Sequence, residues 1–309
     1  MNHDGEPSQT ALMAAAARAA HLIVDDEPRI FADTLAYELL GDRAEELVGY
    51  HRAHGTHVIL AGARAAAVTR SRYTEDRLAE AVGGGIRQYV ILGAGLDSYA
   101  YRAAGGSYVD HPEPDGQVRV QVFEVDHPAT QRWKIRLLED TGVAVPGTVT
   151  FVPLDFETES LLDRLVAHGF DPSRPAFVSW LGVTMYLTRE AIGQTLTVIG
   201  GFAPGTEVVA DSMLPEDLRD EAGQAYVEAV MPVSAGGGEP WLTFLGPDGM
   251  ASLLKAHGFD VVEHARQRDA IDASLWDRSD ALRPYDLSLL THARVPGRVP
   301  SDGTAEPMV

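Results

Sequence analysis

Residues 87–102 read RQYVILGAGLDSYAYR, and this stretch has the most informative pattern for predicting the fold. Its first part, residues 88–92, is a short apolar run rich in β-branched and aromatic side chains, and Gly93, Ala94 and Gly95 follow it. Such a run predicts a buried strand that enters a tight turn. Glycines in this kind of turn let the backbone approach a ligand at the carboxyl edge of an open α/β sheet, where nucleotides bind. The stretch therefore predicts a strand, a ligand-binding turn and then a helix.

The residues that follow the turn argue against a dinucleotide as the ligand. A dinucleotide fingerprint needs a third Gly or Ala, so that the helix N-terminus can approach the pyrophosphate. This sequence has Ser98 at that place, with Asp97 before it. A carboxylate at the mouth of the turn repels a diphosphate and favours a cationic ligand, such as a sulfonium that also carries an amino group. Because Gly-x-Gly alone is a weak motif, an ordinary strand-to-helix turn stays open as the alternative.

The chain after this stretch alternates between strand and helix patterns. Six further apolar runs predict strands at residues 118–125, 149–153, 176–181, 207–210, 259–264 and 285–294. Helical patterns predict helices between them at residues 128–140, 159–168, 189–199 and 247–257. Strands that alternate with helices form right-handed βαβ units. We therefore predict an α/β protein with a doubly wound, Rossmann-like, mostly parallel sheet of seven strands.

Other segments surround this predicted sheet domain, which spans residues 86–297. Residues 1–85 predict a helical N-terminal cap, with helices at 9–23, 30–40 and 61–82 and with Thr10 as the first N-cap. An insertion after strand five, at residues 212–245, contains a predicted helix at 216–230 and reads as a lid over the ligand site. Residues 298–309 are rich in Pro, Gly and polar side chains and predict a flexible tail.

Acidic residues end the second and third predicted strands. Asp126 can accept hydrogen bonds from the two vicinal hydroxyls of a ribose. It lies 31 residues after Gly95, more than the usual spacing of about 20, and the excess matches a Gly-, Pro- and Asp-rich loop at 105–117. Asp155 can accept from the exocyclic amine of an adenine while Phe156 packs against its ring. Acids that merely end a strand at the surface are the alternative for Asp126.

The composition excludes several classes of function. The chain has 25 Lys and Arg against 45 Asp and Glu, which gives a formal charge of −20, and it has no Cys. We therefore predict neither a nucleic-acid partner nor a membrane partner, and no thiolate metal site or cysteine nucleophile is available. The N-terminus MNHDGEPSQT lacks the basic start and apolar run of a signal peptide, which favours a cytoplasmic protein.

Three histidines are spaced in a pattern that could bind a metal ion. His51, His54 and His57 are spaced so that they would share one face of a helix. Gly55 and Thr56 lie within the run and argue against a rigid helix, so we predict surface histidines and no metal.

The quoted motifs also carry a family resemblance. Residues 87–102, Phe123-Glu124-Val125-Asp126-His127-Pro128, Leu154-Asp155-Phe156 and Tyr186-Leu187-Thr188 resemble the leucine carboxyl methyltransferase family. They look most similar to its bacterial S-adenosylmethionine-dependent O-methyltransferases, some of which act in polyketide biosynthesis. The resemblance implies S-adenosyl-L-methionine as the cofactor and methyl transfer to an oxygen of a small acceptor in secondary metabolism. The apolar composition of the N-terminal cap and the insertion, which would cover the acceptor, suits an apolar molecule. It implies these cofactor-binding positions: Arg70 for the methionine carboxylate, Gly93, Ala94 and Gly95 for the turn, Asp126 for the ribose, and Asp155 with Phe156 for the adenine.

Two departures from the family pattern bear on the reaction. Leu181 stands where the family has a glutamate that contacts the cofactor, and Glu157 stands where an arginine would bind a substrate carboxylate. An acid at position 157 repels a carboxylate, so we expect a hydroxyl acceptor in preference to a carboxyl one. A nicotinamide oxidoreductase and a binding protein that has lost catalysis are the alternatives. The roles of Arg18, His127 and Tyr186, the catalytic base and the oligomeric state are not assigned from the sequence.

Overall fold

The computed structural model describes residues 8–103, 119–156 and 158–297. The predicted loop at 105–117, the predicted tail at 298–309 and Glu157 lie outside the described residues. The core of the described part is one sheet of seven strands: β1 Gln88–Leu92, β2 Gln121–Asp126, β3 Val149–Pro153, β4 Phe177–Trp180, β5 Glu207–Met213, β6 Asp260–Arg266 and β7 Ser288–Arg294.

The strand order explains where a ligand can bind. The order is β3-β2-β1-β4-β5-β7-β6, and the first five strands are parallel, whereas β7 runs antiparallel to both β5 and β6. Every residue of β1 is buried, as expected for a parallel strand covered on both faces. The order reverses between β1 and β4, and open α/β sheets bind ligands at the carboxyl ends of the strands beside such a switch point. The predicted fold class is confirmed.

Helices cover the sheet and build the N-terminal region. The described helices are α1 Gln9–Val24, α2 Ala44–His54, α3 Val58–Gly83, α4 Tyr99–Ala103, α5 Pro128–Thr141, α6 Leu161–Ala167, α7 Arg189–Gly200, α8 Glu221–Gly236 and α9 Pro247–Ala256. The alanine-rich α1 packs against α2 and α3, and its buried alanines allow the helix axes to approach closely. Among the helices of the described ranges, none combines the length and the apolar character needed to cross a membrane.

The prediction of a helix at residues 30–40 is wrong. Residues 30–37 contain no helix, and a short 3-10 segment, Glu38–Arg43, follows them. Gly41 interrupts that segment with a φ of 54°. Side-chain bonds fix the non-helical path, because Ile30 N donates to His21 Nε2 at 3.0 Å and Leu35 N donates to Asp33 Oδ1 at 3.3 Å. Such bonds compete with the helical pattern of backbone bonds.

Other boundaries also differ from the prediction. Ser8, not Thr10, caps α1, since its Oγ accepts from Ala11 N at 3.2 Å. β5 continues to Met213, so Ser212 belongs to the sheet rather than to the insertion. The insertion's helix, predicted at 216–230, is α8, and Asp220 caps it by accepting from Gly223 N at 2.7 Å.

A buried charged network joins α1, α2 and α3. Arg64 donates to both carboxylate oxygens of Asp25 at 2.8 Å, and Asp25 lies 2.9 Å from His21 Nδ1. Arg64 Nη1 lies 3.2 Å from His51 Nδ1. The prediction of surface histidines is therefore wrong for His51, which is buried and bonded to an arginine, whereas His54 and His57 are exposed. Within the described ranges no three metal-ligating side chains are grouped.

His51 makes the stability of the protein sensitive to mild acid. Burial, and then the charge of Arg64, lowers the pKa of His51 from 6.5 to about 4. The unfolded chain therefore binds a proton that the folded chain excludes, and stability falls as the pH drops from 6.5 towards 4. We expect wild type to lose about 2 kcal/mol between about pH 7.5 and pH 5 through this group, and His51→Gln to lose that much less. Urea unfolding at both pH values measures the difference. The exposed variant His54→Gln is the control, and an equal loss in wild type and His51→Gln contradicts the assignment.

Candidate functional site

The glycine turn after β1 is fastened to the end of β2. Gly93 N and Ala94 N donate to Val125 O at 2.9 and 3.1 Å. Gly93 and Gly95 have φ values of 70° and 46°, in the left-handed region that favours glycine. The Asp126 carboxylate accepts from Gly95 N at 2.5 Å. These bonds place the turn and the carboxylate side by side at the carboxyl edge.

The turn after β4 meets this glycine turn at the switch point of the sheet. A Cβ on Gly93 would lie 2.6 Å from Val183 Cγ2, which real side chains do not tolerate. Gly182 is also left-handed, with a φ of 69°. Gly93 therefore lies closer to Val183 of the turn after β4 than a residue with a Cβ would allow. The crevice that open α/β sheets use for ligands lies here.

The acids predicted from the strand ends lie on adjacent strands. Asp126 ends β2 and pairs with Pro153 of β3, so Asp155 lies just beyond it on the same edge. Asp126 Oδ1 also accepts from His127 N at 2.6 Å, and Asp155 Oδ2 accepts from Thr158 Oγ1 at 3.0 Å. The side chain of Phe156, next to Asp155, is 46% exposed. The structure therefore brings the two carboxylates and the exposed aromatic ring together.

His127 has a local structural role in the described part of the chain. It is the N-cap of α5, and its Nδ1 accepts from Ala129 N at 3.2 Å. Pro128 follows as the first residue of that helix, as is favourable at this position. The bond stabilises the start of the helix that follows Asp126.

Arg70 of α3 reaches the same edge from the other side of the switch point. Its Nη1 lies 3.4 Å from Asp211 Oδ2 at the end of β5, and its side chain is partly exposed. A Cβ on Gly182 would lie 3.0 Å from that same Nη1. The guanidinium therefore lies over the turn after β4. Arg70 was predicted from the sequence, whereas Asp211 and Gly182 were not, although Asp211 follows a predicted strand, as Asp126 does.

Helix α1 covers the glycine turn. A Cβ on Gly95 would lie 3.1 Å from Ala11 Cβ. Arg18 Nη2 donates to Leu96 O at 2.7 Å, and Arg18 Nε donates to Asp33 Oδ2 at 2.7 Å. Burial alone would raise the pKa of Asp33, but the charges of Arg18 and Arg102 outweigh burial and hold it below its usual range. Arg18 is thus a structural link between α1 and the turn.

A second buried ion pair lies under the turn. Lys134 of α5 donates to Glu124 Oε2 at 2.7 Å and to Asp97 O at 2.8 Å. Glu124, on β2, is fully buried, and burial raises its pKa although the charge of Lys134 opposes the shift. The Lys134 side chain thereby links β2, the strand that ends in Asp126, to Asp97, two residues after Gly95.

The insertion and α1 meet above the carboxyl edge. Ser8 Oγ donates to Glu239 Oε1 at 3.0 Å, and Leu242 N donates to Met185 O at 2.7 Å. An apolar cluster, which we call the lid cluster, joins the insertion to β5 and to the turn after β4: Met185, Tyr186, Met213, Tyr226, Val227 and Trp241 are among its members. Burial and the charge of Glu239 raise the pKa of Tyr186. Burial raises the pKa of Tyr226 to about 12, although the nearby charge of Arg70 opposes it.

Comparisons with known proteins agree with this geometry. Residues 11–200 match the family described as leucine carboxyl methyltransferase. The chain is 32% identical over 310 residues to YktD of Bacillus subtilis, with 93% of this chain and 98% of YktD covered; YktD is named as a candidate S-adenosyl-L-methionine-dependent methyltransferase. A Mycobacterium leprae protein with the same description, ML2020, is 30% identical over 256 residues, which cover 82% of this chain and 80% of that protein. A crystal structure of a candidate methyltransferase from Thermobifida fusca has the same fold, with a TM-score of 0.57, 18% identity and coverage of 96% and 97%.

The sheet order, the antiparallel β7 and the glycine turn at the switch point define the class of Rossmann-like α/β proteins. Within that class, the chain belongs to the leucine carboxyl methyltransferase family. It is an S-adenosylmethionine-dependent methyltransferase, as the resemblance of its motifs implied. The oxidoreductase alternative is not favoured.

The close approach at Gly93 gives a testable consequence. Gly93→Ala adds a methyl group that would overlap Val183 Cγ2 and favours a different φ, so we expect the turn to shift. Overpacking of this kind costs about 1–3 kcal/mol, and we expect the dissociation constant for S-adenosylhomocysteine to rise about tenfold or more. Calorimetry measures the change.

Two further variants separate the clash from backbone strain. Gly142→Ala has the same φ of 70° but open space around the Cβ, so it should leave ligand affinity unchanged. Adding Val183→Ala to Gly93→Ala should restore part of the affinity. No recovery in the double variant, together with a loss in Gly142→Ala, contradicts the proposed packing.

Proposed function

We propose that this protein transfers a methyl group from S-adenosylmethionine to an oxygen atom of a small apolar acceptor, and to a hydroxyl in preference to a carboxyl. The observation that carries the proposal is the row of groups along one sheet edge. Asp155, Asp126 and the glycine turn lie on three adjacent strands, and Arg70 lies beyond them across the switch point.

The donors and acceptors along this edge fit the cofactor. The Asp126 carboxylate lies beside the glycine turn, where its Oδ2 accepts from Gly95 N, and it would accept from the ribose hydroxyls of a cofactor bound at that turn. Asp155 would accept from the adenine amine, and the exposed ring of Phe156 would stack on the base. The partly exposed guanidinium of Arg70 would donate to the methionine carboxylate. Gly93, Ala94 and Gly95 would let the backbone approach the ligand.

The protein's own part in the reaction is alignment and exclusion of water. The bound cofactor supplies an electrophilic methyl group on a sulfonium centre, so the chain needs no nucleophile of its own. α1 and α8 cover the edge and would hold the acceptor oxygen in line with that methyl group.

The lid cluster supports an apolar acceptor. It combines aromatic and methionine side chains from the turn after β4, from β5 and from the insertion. Side chains of this kind, with a few polar contacts, typically bind small apolar ligands in proteins. The preference for a hydroxyl rests on Glu157, which is an acid where the family has a carboxylate-binding arginine. We infer that the family's carboxyl acceptor has been replaced in this chain.

One assay separates a hydroxyl acceptor from a carboxyl acceptor. The protein is incubated with S-adenosylmethionine carrying a radioactive methyl group and a panel of phenols and aromatic carboxylic acids. Methyl esters release volatile methanol in alkali, whereas methyl ethers do not. We expect alkali-stable product from phenols. Volatile label from the acids alone contradicts the hydroxyl preference, and binding without turnover on any acceptor favours a protein that has lost catalysis.

The lid cluster is tested with adjacent residues. Trp241 is buried in the cluster, whereas the neighbouring Leu242 is 53% exposed. Removal of a large buried ring costs acceptor contacts, so we expect Trp241→Ala to raise the acceptor KM about tenfold or more. Affinity for S-adenosylhomocysteine should stay unchanged, and Leu242→Ala should resemble wild type in both. Loss of cofactor affinity in Trp241→Ala, with acceptor KM unchanged, contradicts the assignment of this cluster to the acceptor.

A further inference from the structure

Asp211 is a buried carboxylate at the carboxyl edge for which the family motifs provide no role. It lies near the end of β5, and it is 2% exposed. Burial raises its pKa, although the charge of Arg70 and the Gly182 N–H oppose the shift. A buried ionised group is costly unless another charge or hydrogen bond compensates for it. Its partners therefore show what it does.

Asp211 binds two of the groups that border the switch-point crevice. Its Oδ1 accepts from Gly182 N at 2.7 Å, and its Oδ2 lies 3.4 Å from Arg70 Nη1. Gly182 has no Cβ, and the guanidinium packs closely against the position that a Cβ would take, with Nη1 at 3.0 Å and Nη2 at 3.1 Å from it. One carboxylate thus holds both the turn after β4 and the arginine that lies against that turn.

The pair leaves part of the guanidinium available to a ligand. A guanidinium has five N–H donors in a fixed plane. The only side-chain partner of Arg70 within the described ranges is Asp211, which uses Nη1, and the arginine side chain is 21% exposed. A contact at one corner fixes the direction of the whole plane, so the remaining donors point in a set direction.

We propose that Asp211 is a positioning residue that aims Arg70 at the amino-acid carboxylate of the cofactor and keeps the Gly182 turn in place beneath it. This inference rests on the proposed cofactor role of Arg70. It adds that Asp211 contributes to recognition of the amino-acid end of the cofactor and not to recognition of its adenosine. Leu181 adds to the need for such a residue, because the polar contact that the family places there is absent.

The test compares two ligands that differ at the amino-acid end. S-adenosylhomocysteine has the carboxylate, whereas 5′-methylthioadenosine keeps the adenosine and the thioether but lacks the amino acid. Calorimetry gives both dissociation constants for wild type and Asp211→Asn. Asparagine keeps an oxygen for Gly182 N but loses the charge that orients Arg70. We expect affinity for S-adenosylhomocysteine to fall about tenfold, as for the loss of a charged hydrogen bond, and affinity for 5′-methylthioadenosine to stay within about twofold.

Matched variants separate positioning from a general structural effect. Glu207→Gln removes a buried, ion-paired carboxylate from the opposite end of the same strand and should leave the ratio of the two affinities unchanged. In an Arg70→Lys background, Asp211→Asn should have a smaller effect than in wild type, because the fixed guanidinium plane is gone. Asp211→Glu keeps the charge and should recover part of the ratio, and Asp211→Ser, which also removes the charge, replaces Asp211→Asn if that variant does not fold.

The outcomes distinguish this inference from the proposed function. A wild type that binds neither ligand contradicts the proposed function itself. A wild type that binds both, with Asp211→Asn weakening them equally or not at all, overturns the positioning role and leaves the proposed function intact. A selective loss for S-adenosylhomocysteine that depends on Arg70 supports the inference.

Discussion

Asp126→Ala is expected to lower the affinity for S-adenosylhomocysteine about 100-fold or more. The carboxylate would accept bonds from the ribose, and it already accepts from Gly95 N and His127 N. Two charged hydrogen bonds to a ligand contribute about 3 kcal/mol or more together, and about 1.4 kcal/mol corresponds to a factor of ten. The variant also releases the glycine turn from β2, which adds to the loss. Calorimetric titration measures the dissociation constant.

The control for this variant is Asp140→Ala. Asp140 is exposed on α5, the helix that follows Asp126, and it should leave the affinity unchanged. Asp126→Asn should fall between wild type and Asp126→Ala, because the amide keeps one acceptor oxygen. Equal binding by wild type and Asp126→Ala contradicts the ribose assignment while leaving the family assignment in place.

Lys134→Met is expected to have the largest effect on stability among the variants considered. It leaves the Glu124 carboxylate buried in the sheet without its cation. Breaking a buried ion pair on one side typically costs about 3–5 kcal/mol, because the remaining charge is not compensated. Urea unfolding at neutral pH measures the loss. Lys255→Met, at an exposed position on α9, should change stability little.

A double variant tests the cause of that loss. Lys134→Met with Glu124→Gln removes both charges, and we expect it to be more stable than Lys134→Met alone. A double variant that is less stable than the single one indicates that packing around the lysine stem, and not the uncompensated carboxylate, dominates.

The centre of the sheet was predictable because β1, β4 and β5 are buried on both faces. A continuous apolar run such as that of β1 is typical of a parallel strand covered by helices on both faces. All residues of β1 are indeed buried. Carboxyl ends of parallel strands meet at one edge, so Gly95, Asp126 and Asp155 could be placed together before their distances were known.

The path of residues 30–40 was not predictable, because distant side chains determine it. Asp33 is held by Arg18 at 2.7 Å and by the Ser98 hydroxyl at 2.7 Å, which lie on α1 and after the glycine turn. A local helical pattern contains no information about such partners. The pairing of Asp211 with Arg70 was not predictable for a related reason, since it joins residues 141 positions apart.

Binding of the methyltransferase cofactor at this edge is tested most directly by calorimetric titration of the wild-type protein with S-adenosylhomocysteine, beside a matched titration with NADH. A Rossmann-like methyltransferase with Asp126 and Asp155 at its cofactor edge should bind S-adenosylhomocysteine saturably at one site per chain and should give no binding heat with NADH. Binding of NADH, with no binding of S-adenosylhomocysteine, contradicts the account.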